Sequence, residues 1–358
     1  MDVMSGGETL SGSALVLLCY DVCEEIRLEL VTQTLEAERR QPAFKHAAPE
    51  YVGFKKPPVV EPFAVADRMS AELKYYDYGV ISVVMQQPFE GGWDDMVQLS
   101  ARWMSGTTFE EQTKELIKAK IERVRHALVK PYASWLAEDY FVFVVNTTGA
   151  ELMDAPDMVR NRGQRIAQIV RGETVALSLN EQNEVLQSSI SYYTSDLAVV
   201  GWNAAFVLDT PAGAHAAVQL LEYANTQLLE FRHYDDQLTR ELATAYRLLD
   251  HSGFLARWRL ARGAAKLQAV TLDVTELTER VDNAIKFLSD MFSARLHSLA
   301  ASKIGVADYK RLVEQKLGIA RELYGFMVEQ FHQERAFALE VMVVIILVIE
   351  LVFLFRGH

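Results

Sequence analysis

Cysteine is nearly absent from these 358 residues: Cys19 and Cys23, in "LCYDVC", are the only two. That count excludes a disulfide-stapled scaffold. Their three-residue gap is not the Cys-x-x-Cys of redox motifs, and two thiols alone cannot close a zinc site. Both are read as reduced, structural residues. Proline is missing after Pro211, so a long helical region can follow. Positive charge is in deficit, with a formal net charge of −12. A surface that acidic is a poor binder of phosphate backbones, and no direct nucleic-acid partner is expected. The arginines at 160, 162, 165 and 171 are read as a solvated helix face. The opening "MDVMSGGETLSGSALVLLCYD" has no basic region ahead of its short apolar run, and no arginine-rich transit pattern. The bulk of the chain is therefore expected in the cytoplasm.

Signatures of catalysis are lacking too. No G-x-x-x-x-G-K-[ST], G-x-S-x-G or H-E-x-x-H occurs, and "IVRGETVAL" does not meet the phosphate-loop pattern. No cofactor is expected, and the chain is read as a non-enzyme.

What is present is an apolar closing segment, "ALEVMVVIILVIELVFLFRGH". Residues 336–355 carry only Glu340 and Glu350 as charges, and about 20 helical residues span about 30 Å, the depth of a hydrocarbon core. Apolar side chains run around the whole circumference, with Val341, Ile345, Ile346, Leu347, Ile349, Leu351, Phe353 and Phe355 among them. The expectation is a single-pass tail anchor in the cytoplasmic (inner) membrane. A carboxylate at Glu350 is costly in lipid and is read as a residue tolerated near the far interface or as a contact between copies.

Before that segment the chain divides in two. Residues 1–210 alternate strand-like runs ("ALVLLCYDV", "YDYGVISVVMQQPF", "EDYFVFVVNTT", "SDLAVVGWNAAFVLD") with amphipathic helical stretches. "FKKPPVVEPFAVA" reads as loop or edge structure, and Ser178 with Glu181 has capping-box spacing. The fold class predicted is α+β: a mixed α/β domain, then a long antiparallel helical hairpin over 211–335, then the membrane helix.

Within that hairpin, Leu221, Ala224, Leu228, Phe231, Leu238, Leu242, Ala245 and Leu249 keep a three-and-four rhythm. A second helix is predicted over 254–301 after a turn at "DHSG", and a third runs into the closing segment. Asp235 falls in the seam, where it fixes register through pairing with Arg262 or Lys266. Glu-x-x-His occurs twice, as Glu230 with His233 and Glu329 with His332. Paired motifs of this kind build carboxylate-bridged metal sites when they face a bundle core. The heptad register places Glu230 and His233 outward, so a metal-dependent membrane enzyme using these four residues is the alternative reading.

The order of "YDYGVISVV", "DYFVFVV", "RGETVALS", "EVLQSSISYYTSDLAVVGWNAAFVLDT" and "LLEYANTQLLEFRHYDDQL", ahead of a long helical pair and one span, resembles the required-for-meiotic-nuclear-division family. That family is also known as the YagE or domain-of-unknown-function 155 family. The resemblance covers roughly residues 75–355. It implies attachment through the C-terminal helix, self-assembly and no accepted enzymatic activity. The reading that follows is a membrane-anchored, self-associating scaffold presenting an acidic domain to a protein partner.

Overall fold

A computed structural model describes residues 9–41, 56–64, 69–106, 109–147, 154–249, 262–276 and 291–356. Its centre is two long strands, β1 (Leu10–Ile26) and β6 (Leu128–Asn146), paired antiparallel. On one side of them lie β5 (Val80–Gly91), β4 (Ser70–Tyr75), β3 (Val59–Ala64) and β2 (Glu38–Arg39). On the other lie β9 (Ala204–Asp209), β8 (Leu197–Val200) and β7 (Ser189–Ile190). The nine described strands run β2-β3-β4-β5-β1-β6-β9-β8-β7. Every pairing is antiparallel except β6 with β9. A parallel neighbour needs a crossover, and α4 (Ala155–Arg171) and α5 (Leu179–Leu186) lie within it.

Strand period two sorts the side chains of β1. Val16, Leu18 and Tyr20 enter one core with Trp103, Phe109, Ile117 and Ile166. These come from α2 (Trp93–Gly106), α3 (Phe109–Val124) and α4, and α1 (Leu28–Leu35) packs on the same face. The opposite face meets α6 (Pro211–Leu249), where Cys19, Tyr76 and Val80 pack on Leu229.

Local chemistry sets the helix ends. α4 stops at Gly172, which takes φ 65° as a left-handed C-cap. The Ser178 hydroxyl accepts a hydrogen bond from the Glu181 amide at 3.2 Å, which starts α5. Pro211 opens α6, where the missing N–H costs no helical bond. The turn from β4 to β5 depends on Gly79, at φ 97°, whose added Cβ would lie 1.8 Å from the Cys23 carbonyl oxygen. Gly79→Ala is expected to lose on the order of 2–3 kcal/mol, combining left-handed strain with displacement of β1. An unchanged urea midpoint would sink that reading.

The chain forms two compact units. The first takes Met1–His233 and Val281–Tyr309, the second Tyr234–Arg280 and Lys310–His358. In the second, Leu242 and Ala245 pack with Ala264 and Leu267 of α7, helical over 262–276, and with Ala320, Leu323 and Met327 of α9 (Val306–Arg356). The helix expected over 254–301 is described in two pieces, and the "DHSG" turn lies outside the described residues. Its second piece, α8 (Met291–Ile304), belongs to the first unit and is not a limb of the stalk. The reason is side-chain chemistry: His297 of α8 pairs with the buried Gln227 of α6 at 3.1 Å, and Phe292, Leu296 and Ala300 are buried beside it.

α9 is helical through Arg356. Among the described residues no helix is long and apolar enough to cross a membrane. The side chains of 330–339 and 353–358, Phe353 and Phe355 with them, lie outside the described set. Between them, Glu340–Val352 is exposed at every position, Glu350 included.

Candidate functional site

The face of the sheet under α6 is polar where the opposite face is apolar. Alternation in β4 sends Ala71, Leu73 and Tyr75 to the apolar core and Ser70, Glu72 and Lys74 toward α6. Glu222 of α6, 1% exposed, meets Lys74, 5% exposed, in a buried ion pair. The second Glu222 oxygen accepts from Ser82 and from the Tyr76 hydroxyl at 3.1 Å. One helical turn on, Thr226 bonds the Tyr78 hydroxyl at 2.8 Å. A buried carboxylate persists only when its lone pairs are this fully occupied.

The same burial quietens the nearby nucleophiles. Desolvation, then the Glu222 charge, pushes the Cys19 thiol well above its ordinary range. The Tyr76 phenol is raised by the same two causes. Neither supplies an anion at neutral pH.

Next to Lys74 the sheet and the start of α6 enclose a cavity of about 690 Å³. Ser13, Gln86, Asn146, His215 and Gln219 give it polar groups, and Leu15, Val84, Val144 and Val218 an aliphatic wall. Burial, then the Lys74 charge, lowers the His215 pKa and favours the neutral imidazole. Asn146 ends β6 and Pro211 follows β9, so the cavity opens at the carboxyl ends of the parallel pair. Ligands of open α/β sheets gather at such ends. The first turn of α6 is itself occupied: the Asp209 carboxylate accepts from the Thr210 amide at 2.7 Å and would lie 2.4 Å from a Cβ at Gly213.

Farther along α6, His233 Nδ1 meets the buried Asp21 carboxylate at 2.6 Å, and Tyr132 stacks on the imidazole at 4.6 Å. Burial raises the Asp21 pKa, partly offset by the hydrogen bond from His233. Arg232 pairs with Glu138 on β6.

These contacts correct the register drawn for α6. Glu230 (4% exposed) and His233 do not point outward. This part of α6 lies on a sheet, and a sheet buries a broader arc than the narrow seam of a coiled coil. Glu329 is exposed on α9, and the His332 side chain lies outside the described residues. Among the described residues no three His, Cys, Asp or Glu gather as a metal site. Asp235 is tied by Lys316 of α9 at 2.6 Å, not by Arg262 or Lys266, because Lys266 pairs with Glu241.

Lys74, Glu222 and the cavity polar groups were not singled out by the sequence pattern. The available signal is the strict alternation of "SAELKY" and the polar run "EYANTQ" between the apolar "AAVQLL" and "LL" of α6.

A family model described as "Uncharacterized protein MJ0711, N-terminal domain" matches residues 11–215. The chain belongs to this family. The match covers β1 to the first turn of α6, and it overturns the resemblance to the required-for-meiotic-nuclear-division family. That resemblance rested on element order and helix character, which unrelated α+β chains share. Uncharacterized protein MJ0711 of Methanocaldococcus jannaschii is 21% identical over 241 residues, covering 66% of this chain and 73% of that one. No solved structure matches the chain.

Proposed function

We propose that the chain is a membrane-attached, self-associating scaffold that binds rather than transforms its partners. The observation that carries attachment is the end of α9. Val341 to Ile349, Leu351 and Val352 are apolar and 40–57% exposed on every side of the helix. Patches of this kind are rare on soluble proteins and suit lipid. Self-association is supported by Leu312, Ile319 and Phe326, exposed at 41%, 42% and 55% on α9 and seven residues apart, the repeat of a coiled-coil face. Binding without catalysis is supported by the quiet thiol and phenol and by the ion pairs that occupy Lys74, Glu222, Asp21 and His233.

Full-length protein is expected to float with liposomes and to resist carbonate extraction. Arginine at Val344, Leu347 and Leu351 together should release it, at about 2.5–3.5 kcal/mol per charge near the bilayer centre. A wild-type protein that stays in the soluble fraction without detergent would defeat the proposal. Glutamate at Ile319 and Phe326 should lower the mass of the assembly in native mass spectrometry without releasing it from the membrane.

A further inference from the structure

We propose that the cavity beside Lys74 binds a small peptide-like zwitterion, an α-amino acid or dipeptide with free termini and aliphatic side chains.

The volume, about 690 Å³, falls in the range of small-molecule sites. The lysine sets the anionic end. An ammonium has three N–H donors, and among the described residues that of Lys74 gives one, to Glu222. Its side chain lines the cavity while being 5% exposed, so little bulk water reaches it. A carboxylate is the acceptor that suits a buried ammonium.

An isolated anion would face Glu222 behind the lysine and Glu72 beside it. Glu72 stands two residues from Lys74 on the same face of β4, about 6.6 Å along the strand. One of its oxygens takes Arg40 at 3.0 Å and the other faces no cation among the described residues. The lining thus presents one ammonium and one carboxylate, from residues two apart on the same face of one strand. A ligand with a positive and a negative terminus satisfies both, and a singly charged one meets repulsion at one end.

The rest of the lining matches a peptide body. The amides of Gln86 and Asn146 offer donors and acceptors to a peptide group, and Leu15, Val84 and Val218 form an apolar wall. Among the described residues no Phe, Tyr or Trp lines the cavity, and His215 is its one ring, so a planar base would find little to stack on.

The test is calorimetric titration of the full chain in detergent with leucine and leucyl-leucine. N-acetyl-leucyl-leucine removes the ammonium, and leucyl-leucine amide removes the carboxylate. At least one free zwitterion should bind, and each blocked form at least tenfold more weakly. Glu72→Gln should weaken the free dipeptide about tenfold while leaving the N-acetyl form unchanged. Val218→Phe, which places a bulkier ring on the apolar wall, should weaken binding of the free dipeptide. Both substitutions are to be checked for an unchanged melting temperature, because Lys74→Met would expose the fold itself to loss. No heat from either free probe, or equal affinity for free and blocked forms, overturns the proposal. Neither result bears on membrane attachment, which the flotation assay reads separately.

Discussion

Replacing Lys74 with methionine is expected to destabilise the sheet-bearing unit by about 3–5 kcal/mol, the usual consequence of leaving a buried charge without its partner. Lys74 and Glu222 are 148 residues apart in sequence and have side chains 7% and 1% exposed. Removing the ammonium strands a carboxylate that keeps only the Ser82 and Tyr76 hydroxyls. Glu222→Leu should be similarly harmful, because it strands the lysine. The double replacement, Lys74→Met with Glu222→Leu, should recover most of the loss, since an apolar pair of similar volume often matches a buried ion pair. Guanidinium unfolding of the three variants measures the coupling. Additive losses would show that the two side chains do not act as a pair.

The second large effect is a pH dependence centred on His297. The imidazole is 1% exposed on α8, and burial lowers its pKa to about 4. The ordinary value is about 6.5. Between those two values the unfolded chain binds a proton that the folded chain refuses. Stability contributed by the neutral ring is therefore complete above pH 6.5 and lost as pH falls toward 4. The full drop is on the order of 3 kcal/mol. His297→Gln should flatten the stability profile across that window. If wild type and variant keep the same slope from pH 6.5 to 4, the ring is not the group responsible.

Much of the sheet is legible in its residues because β1, β5 and the second half of β6 are apolar runs, although "SDLAVVGWNAAFVLD", expected as one strand, forms the antiparallel pair β8 and β9. β4 is not legible, because Glu72 and Lys74 make "SAELKY" look solvated. The strand is polar toward α6, and its partner Glu222 lies on a helix far downstream. No local pattern reports such a pair. α6 misled for a related reason. Its three-and-four rhythm runs from Leu221 to Leu249 with Asp235 as a polar member, but the first half packs on a sheet and the second half on helices. One heptad assignment cannot serve both environments. Asp235 was recognised as a polar seam residue, yet its cation came from α9, since Glu241 holds the lysine expected to reach it.

The two outermost described strands, β2 and β7, are each two residues long. They cap a sheet whose central strands run 17 and 19 residues. A long bare border would offer a ladder of open amides and carbonyls to any neighbouring molecule, and such borders template runaway stacking. A ladder of two residues ends almost as soon as it begins. At these two borders the sheet therefore leaves a neighbouring sheet little backbone to add to.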